Sequence, residues 1–388
     1  AIFVVIDPVR TRTARRAHHH IQPKPGTDVV LAMAIANFLI EKNLVDMDYI
    51  KHYTLGFDDF AERARQFSLD HAHEVTGVSV QEIKDLALLM VNNKAVAIRT
   101  GVALERTANG GDAVRAIASL PALTGSWRLP GGGIFQHPQG TFPIDRNALT
   151  NAQFVEDSRN SVNLFDLASA LSPDAIVPIK SLFVYNANPV IAAANQLKLL
   201  ENLCRKDLFT VVSEIFQTDT CDYADILLPA TSQMEQKDLM YSWGHYNIQF
   251  NHKAIEPLGE AVSNTELFRR LAQVFLFGDD VFTHDDDEIM SKAMLWDHKN
   301  LDGITLQSIS EQGFARLNVG DPKNRTPHRN GEFPTASGKF EFASSQSKSG
   351  GDILVVYRQG VDDKKKYPAV DALPSYKPNE VPDDGFVL

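Results

Sequence analysis

Three short apolar runs, Ser181–Tyr185, Leu208–Val212 and Ile226–Leu228, most constrain what this chain can fold into. Each is too short for a buried helix, and the Val, Ile and Phe they contain suit buried strands. Segments of helical character separate them, so Lys180 to Glu235 reads as β-α-β-α-β, the order that builds a parallel sheet. The first run leads into Asn186-Ala187-Asn188-Pro189, where Asn188 can cap a helix and Pro189 suits its first position, which needs no N–H donor. The second ends in Ser213-Glu214, with Thr218 and Thr220 placed to open a further helix. Polar side chains therefore gather at the carboxyl ends of neighbouring strands, where free helix N–H groups and the dipole favour a phosphate or other anion.

A chain of 388 residues, 44% hydrophobic, is large enough for two or three domains with their own cores. It contains no apolar run long enough to span a membrane. The formal charge of −11 argues against a nucleic-acid partner, which needs a basic face. An anionic ligand must then be held by backbone amides and a few local Arg or Lys residues. Cys204 and Cys221 lack CxxC spacing, so these residues encode neither a disulfide framework nor an iron–sulfur or zinc site.

Ala1–Ile6 has a buried-strand pattern and no initiator methionine or leader before it, so the sequence reads as part of a longer protein. The strand ends at Asp7-Pro8. Arg10 follows, and then Pro25-Gly26-Thr27-Asp28 precedes an apolar helix over Val29–Ile40, started by Thr27 or Asp28. His18, His19 and His20 are adjacent and point in different directions, which argues against a shared metal ion, and His71 and His73 are weaker candidates. Further along, the pattern predicts a helix over Val80–Asn92 and a strand over Ala95–Ile98. A glycine-containing loop from Gly101 to Gly111 carries Arg106, and a helix over Ala113–Leu123 follows. Gly131, Gly132 and Gly133 predict an unusual loop. A domain boundary is expected within Pro138–Pro178, a strand over Tyr241–Phe250, a helix over Glu266–Phe277 and a solvated acidic loop over Asp279–Glu288. On these residues alone Asp28 reads first as a partner of the helix dipole and Asp7 as a strand terminator, and Arg106 reads as well as a surface residue.

The segments NANP (186–189), SEIFQTDT (213–220), YADILLPATSQMEQKD (223–238) and GEAVSNTELF (259–268) occur in an order that closely resembles the molybdopterin oxidoreductases of the dimethyl sulfoxide reductase family. The resemblance implies an α/β fold of two doubly wound, Rossmann-like, three-layer αβα domains, incomplete here. One covers 1–140 and the other 141–345, and 346–388 is an extended linker. It implies two molybdopterin guanine dinucleotides carrying molybdenum or tungsten in the full-length protein, and allows a 4Fe-4S cluster in an amino-terminal domain. By resemblance, Asp7, Arg10, Pro25, Gly26 and Asp28 hold the guanosine end of one dinucleotide. The Asp28 carboxylate would accept from guanine N1–H and the exocyclic amine together. Gly101 and Arg106 lie on a cofactor-facing loop, where Arg106-Thr107 replace a frequent Gln-His and offer a bidentate donor for pyrophosphate. Asn186, Asn188, Ser213, Glu214 and Thr218 are the strand-end set of the second domain. Gln236 and Asn264 contact the second dinucleotide, with Asn264 standing where many relatives have Asp.

The function implied is the central part of a bis-molybdopterin guanine dinucleotide oxidoreductase acting by two electrons on a small substrate, in the manner of a formate dehydrogenase or an S- or N-oxide reductase. The alternative is a catalytically silent structural subunit of a redox complex. A nicotinamide dehydrogenase is disfavoured because no strand is followed by GxGxxG. No catalytic residue is assigned, although Arg99, Glu105 and His137 are pocket candidates. The expected partners are a small-molecule substrate and an electron-transfer protein or subunit, in the cytoplasm. The chain by itself is expected to be inert.

Overall fold

The computed structural model describes residues 1–93, 95–151, 154, 162–321, 323–349 and 370–378. They divide into two compact units. One is Ala1–Pro138 with described residues from 319 to 349 and 370 to 378; the other is Gln139–Asn318.

The first unit holds two strands, β1 (Val4–Ile6) and β2 (His19–Ile21), followed by α1 (Asp28–Glu41). Every residue of α1 from Val29 to Leu39 is buried. A helix with no polar face must be covered all round, and here α3 (Phe57–Ala64), α4 (Leu69–Thr76), α5 (Val80–Asn92) and α6 (Gly110–Leu123) pack against it. The segment 46–60 contains the short α2 (Met47–Tyr53), capped by Asp46, and β3 (Thr54–Leu55). Two more strands, β4 (Ala97–Arg99) and β5 (Gly133–Phe135), pair with each other, and all pairings in this unit are parallel, β3 taking Phe340–Glu341 as its neighbour. α5 covers the predicted span because Ser79 and Glu82 form a reciprocal capping box at its start.

The expectation of a buried strand from residue 1 is corrected. β1 has three residues and pairs with β2 alone among the described residues, so Val4 reaches the core while Ile2, Phe3 and Ile6 stay 49%, 44% and 46% exposed.

In the second unit, α7 (Arg146–Thr150) and α8 (Leu167–Ala170) precede β6 (Ser181–Tyr185), α9 (Pro189–Ala192), α10 (Gln196–Leu203), β7 (Phe209–Glu214) and β8 (Ile226–Pro229). The sheet order is β6-β7-β8, parallel throughout, with Tyr185, Ser213 and Leu228 in register. The β-α-β-α-β reading holds, except that the second connection is a 3-10 turn over Asp219–Tyr223. Leu171, Val190, Leu199, Leu203 and Leu208 form the buried layer between these helices and the sheet. The chain is thus a mixed α/β protein with parallel strand pairing in both units, as the sequence predicts.

Three expectations change here. The alternating stretch Tyr241–Phe250 is not one strand. It is the turn and second arm of an antiparallel pair, β9 (Asp238–Tyr241) and β10 (Asn247–Asn251), because Ser242-Trp243-Gly244 breaks the extended run; β11 (Phe314–Arg316) completes that sheet. The predicted helix 266–277 is α11 (Asn264–Val274), capped by Ser263. The acidic run does not remain a loop throughout: Asp285 caps α12 (Asp286–Lys292), whose first turn welcomes carboxylates, and α13 (Leu306–Gln312) follows.

The glycine loop is as unusual as expected. Gly133 has φ 113, and a Cβ there would sit 2.5 Å from ring carbons of Trp127. Gly133→Ala is therefore expected to lower stability by about 1–3 kcal/mol. Urea denaturation measures it, and an unchanged midpoint would contradict the packing described.

Candidate functional site

In the second unit the three parallel strands end on one edge. Asn186 follows β6 with φ 53, a left-handed conformation that asparagine tolerates and that turns the chain out of the sheet. Asn188 occupies the cap position of α9 and Pro189 the first turn, as predicted, but the Asn188 side chain does not cap the helix. The work is done by Thr220, buried in the next connection. Its hydroxyl accepts from Val190 N–H at 3.2 Å and donates to Asn188 Oδ1 at 2.6 Å. One hydroxyl thus ties the ends of β6 and β7 together. Thr218 opens the 3-10 turn by position only, its Oγ1 3.5 Å from Cys221 Sγ.

Ser213 is buried within β7, and Glu214 closes the strand, its Oε1 accepting from Ile215 N–H at 2.8 Å. The Glu214 carbonyl accepts from Ala230 N–H at 3.1 Å, and Ala230 bridges Val262 in parallel, which draws the end of β8 beside the start of α11. Thr231 Oγ1 donates to Gln236 Oε1 at 2.7 Å. Asn264 is the first residue of α11, and its Oδ1 is buried with no hydrogen-bond partner among the described residues. A buried acceptor without a donor is costly, and Asn37 Oδ1 within α1 is in the same state among the described residues. Glu235, also buried, accepts from Ser232 N–H and Leu258 N–H at 2.8 Å each, and these bonds hold its carboxyl below the usual glutamate range.

In the first unit, Gly26 has φ 75, and the turn it makes delivers Thr27 and Asp28 to the start of α1. Pro25 is exposed and Asp28 half-buried. Burial pushes the Asp28 carboxyl up, opposed by its own backbone N–H. Asn109, fully buried before α6, joins this turn to the loop bearing Gly101 and Arg106. Its amide donates to Gly26 C=O at 3.3 Å and to Lys377 C=O at 2.8 Å, while its Oδ1 accepts from Lys377 N–H at 2.8 Å. Arg106 and Gly101 are exposed. Asp7 ends β1 with its Oδ1 accepting from Val9 N–H at 2.8 Å, and Arg10 is exposed beyond it.

The remaining candidates make contacts within the chain. The Arg99 guanidinium lies 5.1 Å from the Phe135 ring centre and bonds the Thr100 carbonyl; Glu105 bonds Gln136; His137 is engaged within the chain. His18 Nδ1 accepts from Phe3 N–H at 3.0 Å, and His20 Nε2 meets the Asp7 carbonyl at 2.9 Å. Among the described residues no group of three His, Cys, Asp or Glu side chains is arranged to hold a metal ion. Concavities of about 530 Å³ beside His18–His20 and about 720 Å³ beside Trp296 and His298 contain none of the strand-end residues. Sequence reasoning missed Asn109 and Glu235. The capping-box spacing Ser232-Gln233-Met234-Glu235 was a usable signal for the second. Nothing local signalled Asn109, whose partner Lys377 is 268 residues away.

Parallel strand ends beside helix starts make an edge suited to an anionic ligand. The particular family follows from comparison with known proteins. Residues 1–274 match the family model described as molybdopterin oxidoreductase. The chain is 37% identical over 353 residues to the probable oxidoreductase YoaE of Bacillus subtilis, covering 90% of this chain and 51% of that protein. It is 31% identical over 301 residues to the F420-dependent formate dehydrogenase subunit alpha of Methanocaldococcus jannaschii, covering 72% and 44%. The structure of acetylene hydratase from Pelobacter acetylenicus superposes with a TM-score of 0.66 at 22% identity, over 96% of this chain and 53% of that one, which shows the shared fold. The chain spans about half the length of the curated relatives it matches. It belongs to the molybdopterin oxidoreductases, the family of dimethyl sulfoxide reductase and formate dehydrogenase.

Two outcomes are expected. Thr220→Val removes both hydroxyl bonds and leaves a buried amide unmet, so unfolding free energy should fall by about 1–3 kcal/mol. Amide exchange at Val190 should accelerate with it; protection equal to the unaltered protein would show that Thr220 does not hold the two strand ends. Asp28→Asn should stabilise the ligand-free protein. With its carboxyl raised above 3.8 in the folded state, the charged form costs stability at every pH above that raised value. The penalty fades as pH falls to 3.8 and below, where the stabilisation by Asn should vanish in a pH series of denaturation curves.

Proposed function

We propose that this chain is the central part of an oxidoreductase holding two molybdopterin guanine dinucleotides, each unit presenting one guanosine-binding edge. The buried, partnerless Oδ1 of Asn264 carries the reading. It stands at the start of the helix that follows Val262, which bridges the end of β8, and an amide oxygen is a fit acceptor for the N–H groups of a guanine edge. In the first unit Asp28 and the Gly26 turn fill the corresponding role. There the same burial that raises the carboxyl makes a paired donor such as guanine N1–H and N2–H more favourable. When bound, the molybdenum or tungsten centre supplies two-electron chemistry, and the chain supplies position and electrostatics. Asn109 sets the spacing between the Gly26 turn and the Arg106 loop, where an exposed guanidinium is free to take up a pyrophosphate oxygen.

Formate is the substrate we favour, on the similarity to a formate dehydrogenase subunit, with S- and N-oxides next. A 4Fe-4S cluster elsewhere in the full-length protein, an electron-transfer partner and cytoplasmic residence belong to the same proposal. No helix among the described residues is long and apolar enough to cross a membrane. The second reading is a silent structural subunit of a redox complex that keeps the same fold.

The test is elemental and nucleotide analysis of the full-length protein from a host that makes the cofactor. About two GMP released per molybdenum or tungsten is expected. Asn264→Leu, which keeps the volume and removes the acceptor, should lower that ratio without unfolding the protein. A folded protein carrying neither metal nor GMP would give the structural-subunit reading first place. The 388-residue chain alone should show no turnover.

A further inference from the structure

Asparagine is followed by glycine at Asn109-Gly110 and at Asn330-Gly331. Asparagine is chemically labile, and glycine has no Cβ to shield its backbone nitrogen, which can therefore close a succinimide ring on the side-chain carbonyl carbon before it. The fold treats the two pairs differently.

Asn109 is buried. Its amide donates to the carbonyls of Gly26 and Lys377, and its Oδ1 accepts from Lys377 N–H. Gly110 N–H bonds the Thr107 carbonyl at 3.0 Å, and a Cβ on Gly110 would lie 2.6 Å from the Leu104 carbonyl oxygen, so backbone closes over this residue. Ring closure there must first break the bonds that hold the side chain.

Asn330 is exposed, and no such bonds fix its side chain among the described residues. Gly331 N–H reaches the His328 carbonyl at 3.4 Å, beyond the usual length of such a bond. A Cβ on Gly331 would meet nothing nearer than 3.5 Å, so the nitrogen has room to approach. The turn also carries a load. The His328 ring stacks on Phe333 at 4.1 Å and meets the edge of Trp127 at 5.1 Å, and the Tyr49 hydroxyl donates to the His328 carbonyl at 3.0 Å.

We propose that Asn330-Gly331 is a site of spontaneous deamidation, through which the chain acquires an isoaspartate that an isoaspartyl carboxyl methyltransferase can recognise. The Gly331 nitrogen attacks Asn330 Cγ. The new N–Cγ bond forms as the Cγ–Nδ2 bond breaks, and the side-chain nitrogen leaves as ammonia with the amide proton of Gly331. One water then opens the ring at either carbonyl, giving aspartate, or isoaspartate with its backbone routed through Cγ and one methylene longer. Either product adds a negative charge beside Glu332, and isoaspartate lengthens the path from His328 to Phe333, which loosens the stack on Trp127. This inference does not depend on the cofactor reading.

The test ages the full-length protein in mildly alkaline buffer and reads asparagine, aspartate and isoaspartate at each position by peptide mass spectrometry. Conversion at Asn330 is expected to be about tenfold or more faster than at Asn109, which must wait for a local opening. In urea the two should convert at similar rates, because the dipeptide is the same. The aged protein should accept a methyl group from S-adenosylmethionine through an isoaspartyl methyltransferase. Asn330→Gln, whose longer side chain closes a ring poorly, should abolish that acceptance and leave the Tm of the fresh protein unchanged. Aged unaltered protein should unfold at lower urea than Asn330→Gln aged beside it. An Asn330 that stays intact would overturn the proposal. So would equal conversion at Asn109 in the folded protein, a rate difference that persists in urea, methyl acceptance undiminished in Asn330→Gln, or an aged protein as resistant to urea as that variant.

Discussion

Parallel pairing of β6, β7 and β8 is the constraint on which the second unit depends. Parallel strands leave the sheet on the same edge, so Asn186, Glu214 and Pro229 are followed by turns that share one small region. Each turn must satisfy its own backbone, and the solution is shared. Thr220 serves the helix that follows β6, and Glu214 receives the chain that follows β8. The edge is therefore held by bonds between connections.

The first unit solves a different problem with a different element. α1 is apolar on all sides, which forces four helices around it and leaves its amino end as the exit for polarity. Thr27 and Asp28 sit at that exit, and Asn109 fastens it to the start of α6 and to Lys377. The raised Asp28 carboxyl is the cost of placing an acid at the margin of so apolar a core. Burial thus disfavours the charged form of Asp28.

The two units treat exposure unequally. At β1, Ile2, Phe3 and Ile6 are exposed because the strand has one neighbour among the described residues, a matter of pairing. At the end of α11 the exposure of Phe275 and Leu276 follows from the backbone itself, which turns through a left-handed leucine. The first needs only another strand, whereas the second keeps an apolar side chain outward whatever pairs with the sheet.

Much of this was legible in the sequence, and the reason is local. Helix α5 announced itself through Ser79 and Glu82, α1 through a long apolar run broken by Asn37, and the strands of the second unit through short Val- and Ile-rich segments with Asn-Pro and Ser-Glu at their ends. These signals act within a few residues, where capping and periodicity operate. The misreadings came where a distant partner decides. Tyr241–Phe250 alternates like a strand, yet the hairpin it joins is completed by Phe314–Arg316. Asn188 is the right residue for a cap, yet Thr220, 32 positions on, takes the bond. The sequence by itself determined which segments are strands and helices and which residue types stand at their ends. The tertiary structure alone decided which of those residues are satisfied and which, like Asn264, are left with a buried atom and no partner among the described residues. A hydrogen bond is a property of two groups brought together, and chain order does not record that meeting.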